Sequence, residues 1–450
     1  MVHSFAAVID VRNAQGIAAA IGRLITAGDL PVGSRLPTVR ALAAELDVSP
    51  TTVSEAWRTL AAAGVIEPRG RLGTFVRQAP GPGAGQRYRR VTEGPGHFAL
   101  DLSTGTPDPD LLPDLGRLVA RVGTSDLTSS YLDPPVLPAL EDALVQRWPF
   151  PPEALTVVDG ATDAMDRVAR EVVRMGDRVV VEHPTFPPVL DLLELLGAEV
   201  IGVDLDDEGI SLGGLEAALA QKPSMVFLQP RAQNPTGVSL TARRARAVAK
   251  LIGRTTAVVV EDDHSGDIAS SVLVSLGRWI PSQVVHIRSF SKSHGPDLRL
   301  AAVGGAGAVI DAVTTRRLIG PGWSSRLLQA VLLAMLDDPA TIATIETARA
   351  TYAERRAALA GALAQRAIAT AGSDGINLWV PVADEQTALI GLAARGVGAA
   401  PGTPFQVRPD ADHIRVTAGL VRGGREAAER LADQMAGDAQ GAARPPTQLV

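Results

Sequence analysis

The sequence predicts an α/β protein: a small helical module in front of a large, mostly parallel sheet with helices on both faces and a small C-terminal α/β subdomain. Three observations carry that prediction. Continuously apolar runs recur at Arg178–Glu182, Glu199–Asp204, Met225–Gln229, Ala257–Glu261, Val284–Ile287 and Leu298–Val303, with helical patterns such as Thr162–Arg174 and Ala242–Leu251 between several of them. Strands that stay apolar without alternation are buried on both faces, the condition of a helix-covered parallel sheet. Residues 10–78 read instead as three helices and a ribbon. Between the two regions, residues 79–98 turn to proline, glycine and arginine, the composition of a linker. The large domain is expected over 99–437, with a disordered tail at 438–450.

In the front module, Ile17, Ile21, Leu24 and Ile25 recur at helical spacing. Asp29-Leu30-Pro31-Val32-Gly33 makes a turn, and Thr38 can cap a second helix carrying Val39, Leu42 and Leu46. Asp47-Val48-Ser49-Pro50 is a tight turn into a third helix that points Val53, Trp57 and Leu60 inward. Gly64 is expected to end that helix, and Ile66 to Val76 reads as two strands with Arg69-Gly70-Arg71-Leu72-Gly73 at the tip. Two helices across a short turn followed by a ribbon form a winged helix-turn-helix, which sends its third helix into the DNA major groove. Thr51 and Thr52 lie near the start of that helix. Arg40 and Arg58 can reach phosphates or base edges, and Arg69 and Arg71 lie on the wing. A small helical packing domain has the same outline.

The stretch GDLPVGSRLPTVRALAAELDVSPTTVSEAWRTLAAAGVIEPRGRLGTFV resembles the DNA-binding domain of the GntR family over its whole length. The resemblance implies DNA contacts at Arg40, Thr51, Thr52, Arg69 and Gly70. Pro50 stands where the family often has a polar side chain, so the sites read should differ from those read through that contact.

Composition narrows the chemistry. The chain has 450 residues, 46% hydrophobic and 20% charged, enough apolar content for a sizeable core and too much for a mainly disordered protein. It has no cysteine, which excludes disulfides, thiolate metal sites and cysteine nucleophiles; no metal site is expected. No apolar run reaches the roughly 18 residues of a membrane span, and the N-terminus lacks a signal-peptide pattern, so a cytoplasmic protein without a membrane partner is expected. The net charge of −6 argues against a chain coated in nucleic acid, but leaves room for one DNA-reading module. Only three lysines occur, Lys222, Lys250 and Lys292. Arginine can replace lysine as surface charge but not as an amine nucleophile.

Lys222 falls in a polar loop and Lys250 on a helix surface. Lys292 instead follows an apolar strand, in Ser289-Phe290-Ser291-Lys292-Ser293-His294-Gly295, with Arg299 seven residues on. Such folds bind ligands at the carboxyl ends of their strands. A lysine there, among hydroxyls and an arginine, suits an aldehyde cofactor bearing a phosphate; a charged loop fits that short motif equally well. Asp262 ends another strand, where it can pair with a pyridinium nitrogen or be an ordinary acidic loop residue. Asn234 can donate to a phenolate oxygen or sit in an Asn-Pro turn. Gly160-Ala161-Thr162 opens a helix whose amides can hold a phosphate or only cap it. Phe186 can stack on a ring or belong to the core. Arg415 can clamp a carboxylate or lie on the surface of an edge strand.

Together these residues resemble the fold-type I aminotransferases that use pyridoxal 5′-phosphate, from about Asp101 to Ala436, with Asn234, Asp262, Lys292, Arg299 and Arg415 in the family's order. The resemblance implies a Schiff-base role for Lys292, with Asp262 at the pyridine nitrogen and Asn234 at the phenolic oxygen. It further implies Thr162, Ser289 and Arg299 at the phosphate, Ser291 beside the lysine, Phe186 on the ring, and Arg415 for an amino-acid carboxylate. Tyr131 resembles the tyrosine that reaches the partner subunit's phosphate, implying a domain-swapped homodimer. Three positions depart from the family: His264 replaces a tyrosine that touches the phenolic oxygen, Ala161 replaces a serine, and Asp297 replaces a glycine. A GntR-type reader joined to such a domain is the arrangement of the MocR subfamily. It implies a cofactor-binding transcriptional regulator that binds double-stranded promoter DNA and senses an amino compound or the cofactor itself. A working aminotransferase carrying a regulatory module, or a repressor whose large domain only dimerises, has the same domain order.

Overall fold

The computed structural model describes residues 5–9, 11–26, 29–62, 66–76, 86–92, 98–122 and 130–439. The expected helix stop at Gly64, much of the expected linker and the tail from 440 lie outside the described residues. So does the position that would test a break at residue 78.

The front module follows the sequence closely. Helix α1 spans Ala14–Thr26, α2 Val39–Leu46 and α3 Pro50–Ala62. Thr38 caps α2 by accepting the Ala41 amide at 3.2 Å, and Asp47 closes it in the left-handed region. Ser49 caps α3 by accepting the Thr52 amide at 3.1 Å, with Pro50 in the first turn, where its missing N–H costs nothing. Strands β1 (Ile66–Pro68) and β2 (Thr74–Val76) pair antiparallel with Ile66 opposite Val76. Ile17, Ile21, Leu42, Leu46, Val53, Trp57 and Leu60 close one buried cluster. Met175, from the large domain, packs against it: a Cβ added at Gly22 would lie 2.4 Å from the Met175 sulfur, so a larger residue there would push the end of that side chain aside.

The large domain is built on an eight-stranded sheet. Five strands run parallel, in the order Val284–Ser289, Val258–Asp263, Met225–Leu228, Arg178–His183 and Glu199–Asp206. Beyond the first lies Ala301–Gly305, antiparallel, and then Ala154–Val158; at the opposite edge a short antiparallel strand, Gly209–Ile210, finishes the sheet. Successive side chains point to opposite faces. Val180, Val226, Val259 and Val284 join one core cluster, while Val179, Val181, Phe227, Val260 and Val285 join the other. That division explains the consecutive apolar residues within these strands. A separate antiparallel sheet, with His413–Val416 between Leu378–Pro381 and Ala400–Pro401, forms the C-terminal subdomain.

Two expectations need correction. The strand expected at Leu298–Val303 begins only at Ala301 and runs antiparallel. Pro296–Leu298 forms a short 3-10 turn and Arg299 takes φ +49°, which breaks the extended backbone ahead of the strand. Within the expected linker, Gln86–Thr92 forms a helix, α4, packed on the large domain. The stretch QRYRRVT contains neither proline nor glycine, and Asp191 accepts the amides of Arg87 and Tyr88 at 3.2 and 3.0 Å. Capping from a distant carboxylate supplies what the local sequence lacks.

Candidate functional site

The carboxyl ends of the parallel strands place their polar residues on one rim. Around a cavity of about 270 Å³ stand Lys292, Asp262, His264, Asn234, Phe186, Ala161, Thr162, Ser289, Ser291, Arg299 and Arg415. Every large-domain residue to which the resemblance gives a cofactor or carboxylate role is therefore brought together, except Tyr131. Tyr131 stands 88% exposed with its ring against Trp323, outside this cavity.

Lys292 leaves the loop after Val284–Ser289 and places Nζ 2.9 Å from Nδ1 of His264 and 3.4 Å from the His264 carbonyl. Burial lowers its pKa to about 8, against the pull of the Asp262 carboxylate, so a sizeable neutral fraction exists near physiological pH. His264 is held at its other nitrogen: Nε2 lies 2.9 Å from the Ala232 carbonyl, which accepts its proton. Burial, and then the charge on Lys292, drives the His264 pKa down to about 3. The ring is thus neutral, and its Nδ1 lone pair accepts from Lys292. Where the resembled family has a tyrosine touching the phenolic oxygen, this chain has a histidine whose Nε2 proton is engaged by Ala232.

Asp262 lies at the end of Val258–Asp263, 1% exposed. Its Oδ2 accepts from the Gln229 side-chain amide at 2.8 Å, while its Oδ1 is buried with no partner. Burial raises its pKa to about 6, opposed by Gln229 and Lys292. A buried carboxylate oxygen without a partner is costly, and a cationic N–H donor in the cavity would complete it. Gln229 also accepts the Asn234 amide at 2.8 Å, so one side chain orients both residues. Its signal was legible: it is a polar residue directly after the strand Met225–Leu228, the same pattern that singled out Asp262.

At the phosphate end, Gly160 (φ +103°) precedes the helix Ala161–Val172 without a side-chain cap, leaving first-turn amides for an anion. A Cβ at Gly160 would come within 3.2 Å of the Arg299 guanidinium, which donates to the Asp159 carbonyl at 3.1 Å. The backbone and Arg299 therefore close around one small space. Arg415 lies on the central strand of the C-terminal sheet and is 2% exposed, so it is not an edge-strand surface residue. It donates to the Ser103 carbonyl, lies over the Phe405 ring at 5.2 Å, and keeps a buried Nε with no partner. Burial lowers its pKa to about 10. Tyr88 and Val91 of α4 also line the cavity; the linker assignment had hidden them.

On the front module, Arg40, Thr51, Arg58, Arg69 and Gly70 are exposed and Thr52 half-exposed. The Thr52 hydroxyl pairs with Ser49 at 2.8 Å, and Arg69 is held by Glu67 at 3.1 Å and over the Phe75 ring at 5.1 Å. Among the described residues no acidic or histidine cluster could hold a metal ion, and no single helix is long and apolar enough to cross a membrane.

Comparisons with known proteins agree with this division. Residues 99–431 match the family described as aminotransferase class I and II, and residues 13–76 match bacterial regulatory proteins of the gntR family. The chain is 38% identical over 417 residues to the vitamin B6 salvage pathway transcriptional repressor PtsJ of Salmonella typhimurium, covering 91% of this chain and 95% of that one. It is 27% identical over 436 residues to the HTH-type transcriptional regulator TauR of Rhodobacter capsulatus, covering 85% and 87%. An archaeal alanine:glyoxylate aminotransferase superposes with TM-score 0.69 at 22% identity, over 78% of this chain and 93% of its own. The α-aminoadipate aminotransferase LysN of Thermus thermophilus gives 0.68 at 22%, over 79% and 97%. These two likenesses establish the fold.

Proposed function

Because the chain belongs to the MocR subfamily of GntR-type regulators, in which a DNA-reading module is joined to an aminotransferase-class domain that binds pyridoxal 5′-phosphate, we propose that its promoter binding reports the supply of that cofactor. The unpartnered Oδ1 of Asp262, in one cavity with Lys292 and the Gly160–Arg299 cradle, carries this reading. The vitamin B6 salvage role in the name of the Salmonella relative supports the cofactor as effector.

When bound, the cofactor supplies an aldehyde open to an amine and a ring that withdraws electrons. The protein's own part is placement. Asp262 would hold a proton at the ring nitrogen, Asn234 would serve the phenolic oxygen, Phe186 would pack on the ring, and Ala161, Thr162, Ser289 and Arg299 would take the phosphate. Lys292 presents an Nζ with a sizeable neutral fraction, with His264 Nδ1 as the acceptor that orients it and Ser291 on the same loop.

The test is a titration of apoprotein with pyridoxal 5′-phosphate, following the visible band and promoter binding together. Loading that leaves DNA affinity unchanged sinks the reading. The DNA arm has its own check. Arg40→Ala should weaken promoter binding in a shift assay and lower the salt slope by roughly 0.9 log units per log salt if one phosphate contact is lost. Equal affinity and slope in Arg40→Ala and Arg69→Ala would count against Arg40, Arg69, Thr51, Thr52, Arg58 and Gly70 as the DNA-facing set.

A second effector class, an amino compound bearing a carboxylate, is favoured by one observation: the buried, unpartnered Nε of Arg415 beside the cavity. Arg415→Ala should keep the visible band and weaken any response to carboxylated amines by about 10- to 100-fold. Amines that act equally on wild type and Arg415→Ala do not use this clamp.

The reading includes action in the cytoplasm and a homodimer, for which exposed Tyr131, Leu132, Val272 and Ile319 offer apolar surface. It also includes exchange of DNA modules between subunits, an exchange that would have to preserve the Gly22–Met175 seat. Sedimentation of full-length protein would reveal the dimer.

A further inference from the structure

Helix α4 belongs by sequence to the connector, yet it forms part of the cavity wall. It begins ten residues after the wing ends, counting from Val76 to Gln86. Four contacts hold it. Asp191, buried at 6% exposure, accepts the Arg87 and Tyr88 amides, one on each carboxylate oxygen. The Arg87 guanidinium donates to the Gln406 carbonyl at 3.0 Å. Val91, 5% exposed, clusters with Trp379, Ala400 and Phe405, and Phe405 lies beneath Arg415. Tyr88 and Val91 face the same cavity as Lys292 and Asp262.

A helix of seven residues has no independent existence in water, where even 12–15 residues are marginal. It is helical because it is docked, so docking and folding of this segment are one event. That makes it a two-state element, and one of its faces belongs to the ligand cavity. At about 270 Å³ that cavity lies just under the roughly 300–1,000 Å³ typical of ligand pockets. A ring-and-phosphate ligand in so small a space must meet the wall that α4 supplies.

We propose that α4 is the element that carries cofactor occupancy to the DNA-reading module: a filled cavity holds Tyr88 and Val91 in place and keeps the helix docked, and an empty one releases it and lengthens the tether. The inference rests on the cofactor reading above. Coupling of this kind is reciprocal, so whatever loosens α4 must weaken cofactor binding by the same factor that loading favours docking.

The chain has no cysteine, so two introduced thiols are the only labelling sites. Nitroxides on the full-length double variant Arg89→Cys/Glu194→Cys span α4 and the helix Pro187–Leu195 that it packs on. Distances are measured on apoprotein and on protein saturated with pyridoxal 5′-phosphate. Loading should collapse a broad distribution to a single short one, reducing the released population on the order of tenfold. Identical distributions with the visible band fully formed would overturn the inference while leaving the cofactor reading intact. Failure of the band to form would remove both. Asp191→Ala supplies the reciprocal arm. It should still form the band, give the broad distribution with and without cofactor, raise the cofactor Kd about tenfold and leave promoter affinity unresponsive to loading. An Asp191→Ala protein that stays docked and responsive would equally overturn it.

Discussion

Lys292→Ala is expected to abolish the visible band of the cofactor-loaded protein and its borohydride labelling, the largest single effect available in this molecule. Among the described residues Lys292 supplies the one side-chain amine in the cavity: Lys222 and Lys250 are exposed and line no part of it. With three lysines in the chain, mass mapping of a borohydride-reduced sample is nearly unambiguous. The pH profile adds a second handle. A lysine with pKa about 8 gains its neutral form tenfold per pH unit up to that value and little beyond it. Reconstitution of apoprotein should therefore accelerate from pH 6 to about 8 and then level off. His264, neutral through this range, adds no inflection of its own. A wild-type band that survives in Lys292→Ala, or a rate still climbing tenfold per unit above pH 9, would refute the assignment.

Asp262→Asn is expected to weaken cofactor binding by about 3 kcal/mol, on the order of 100-fold, because it deletes one member of a buried charged hydrogen bond without changing shape. A stability signature accompanies it. In the apoprotein, burial raises the Asp262 pKa to about 6, above its unfolded value. The folded chain then binds this proton more tightly, so the stabilisation is complete below the unfolded carboxylate pKa and is lost as pH rises through about 6. Above that pH the apoprotein carries an ionised, unsatisfied oxygen that a protonated ring relieves. The gain in Tm on adding cofactor should therefore be larger at pH 8 than at pH 5, and the difference should vanish in Asp262→Asn. Equal gains at both pH values in wild type would contradict the pairing.

Much of this was legible in the sequence, for identifiable reasons. The helix-turn-helix announces itself through local chemistry: Thr38 as a cap, Asp47-Val48-Ser49-Pro50 as a tight turn, glycines in the wing. The parallel strands announce themselves because both faces are buried, leaving continuous apolar runs. Lys292, Asp262 and Asn234 were found by their place after those runs. The illegible parts depend on distant partners. Helix α4 needs Asp191, a hundred residues away in sequence, before its seven residues can fold. Arg415 lies in a short strand whose central position is set only by pairing with Leu378–Pro381 and Ala400–Pro401. The role of His264 turned on Ala232, whose carbonyl fixes the tautomer.

The close fit of Gly22 against Met175 bears on the spacing of DNA sites. A reading head seated on a rigid body cannot slide along its target as one on a free cord can. Two such heads in a dimer would fix the distance between recognition helices, and half-sites would have to fall in phase with the roughly 10.5 base-pair helical repeat. Insertion of five base pairs, half a turn, would then turn one half-site to the far side of the duplex. A residue at position 22 too large for the Met175 side chain to move aside would unseat the head and make the protein tolerant of that insertion.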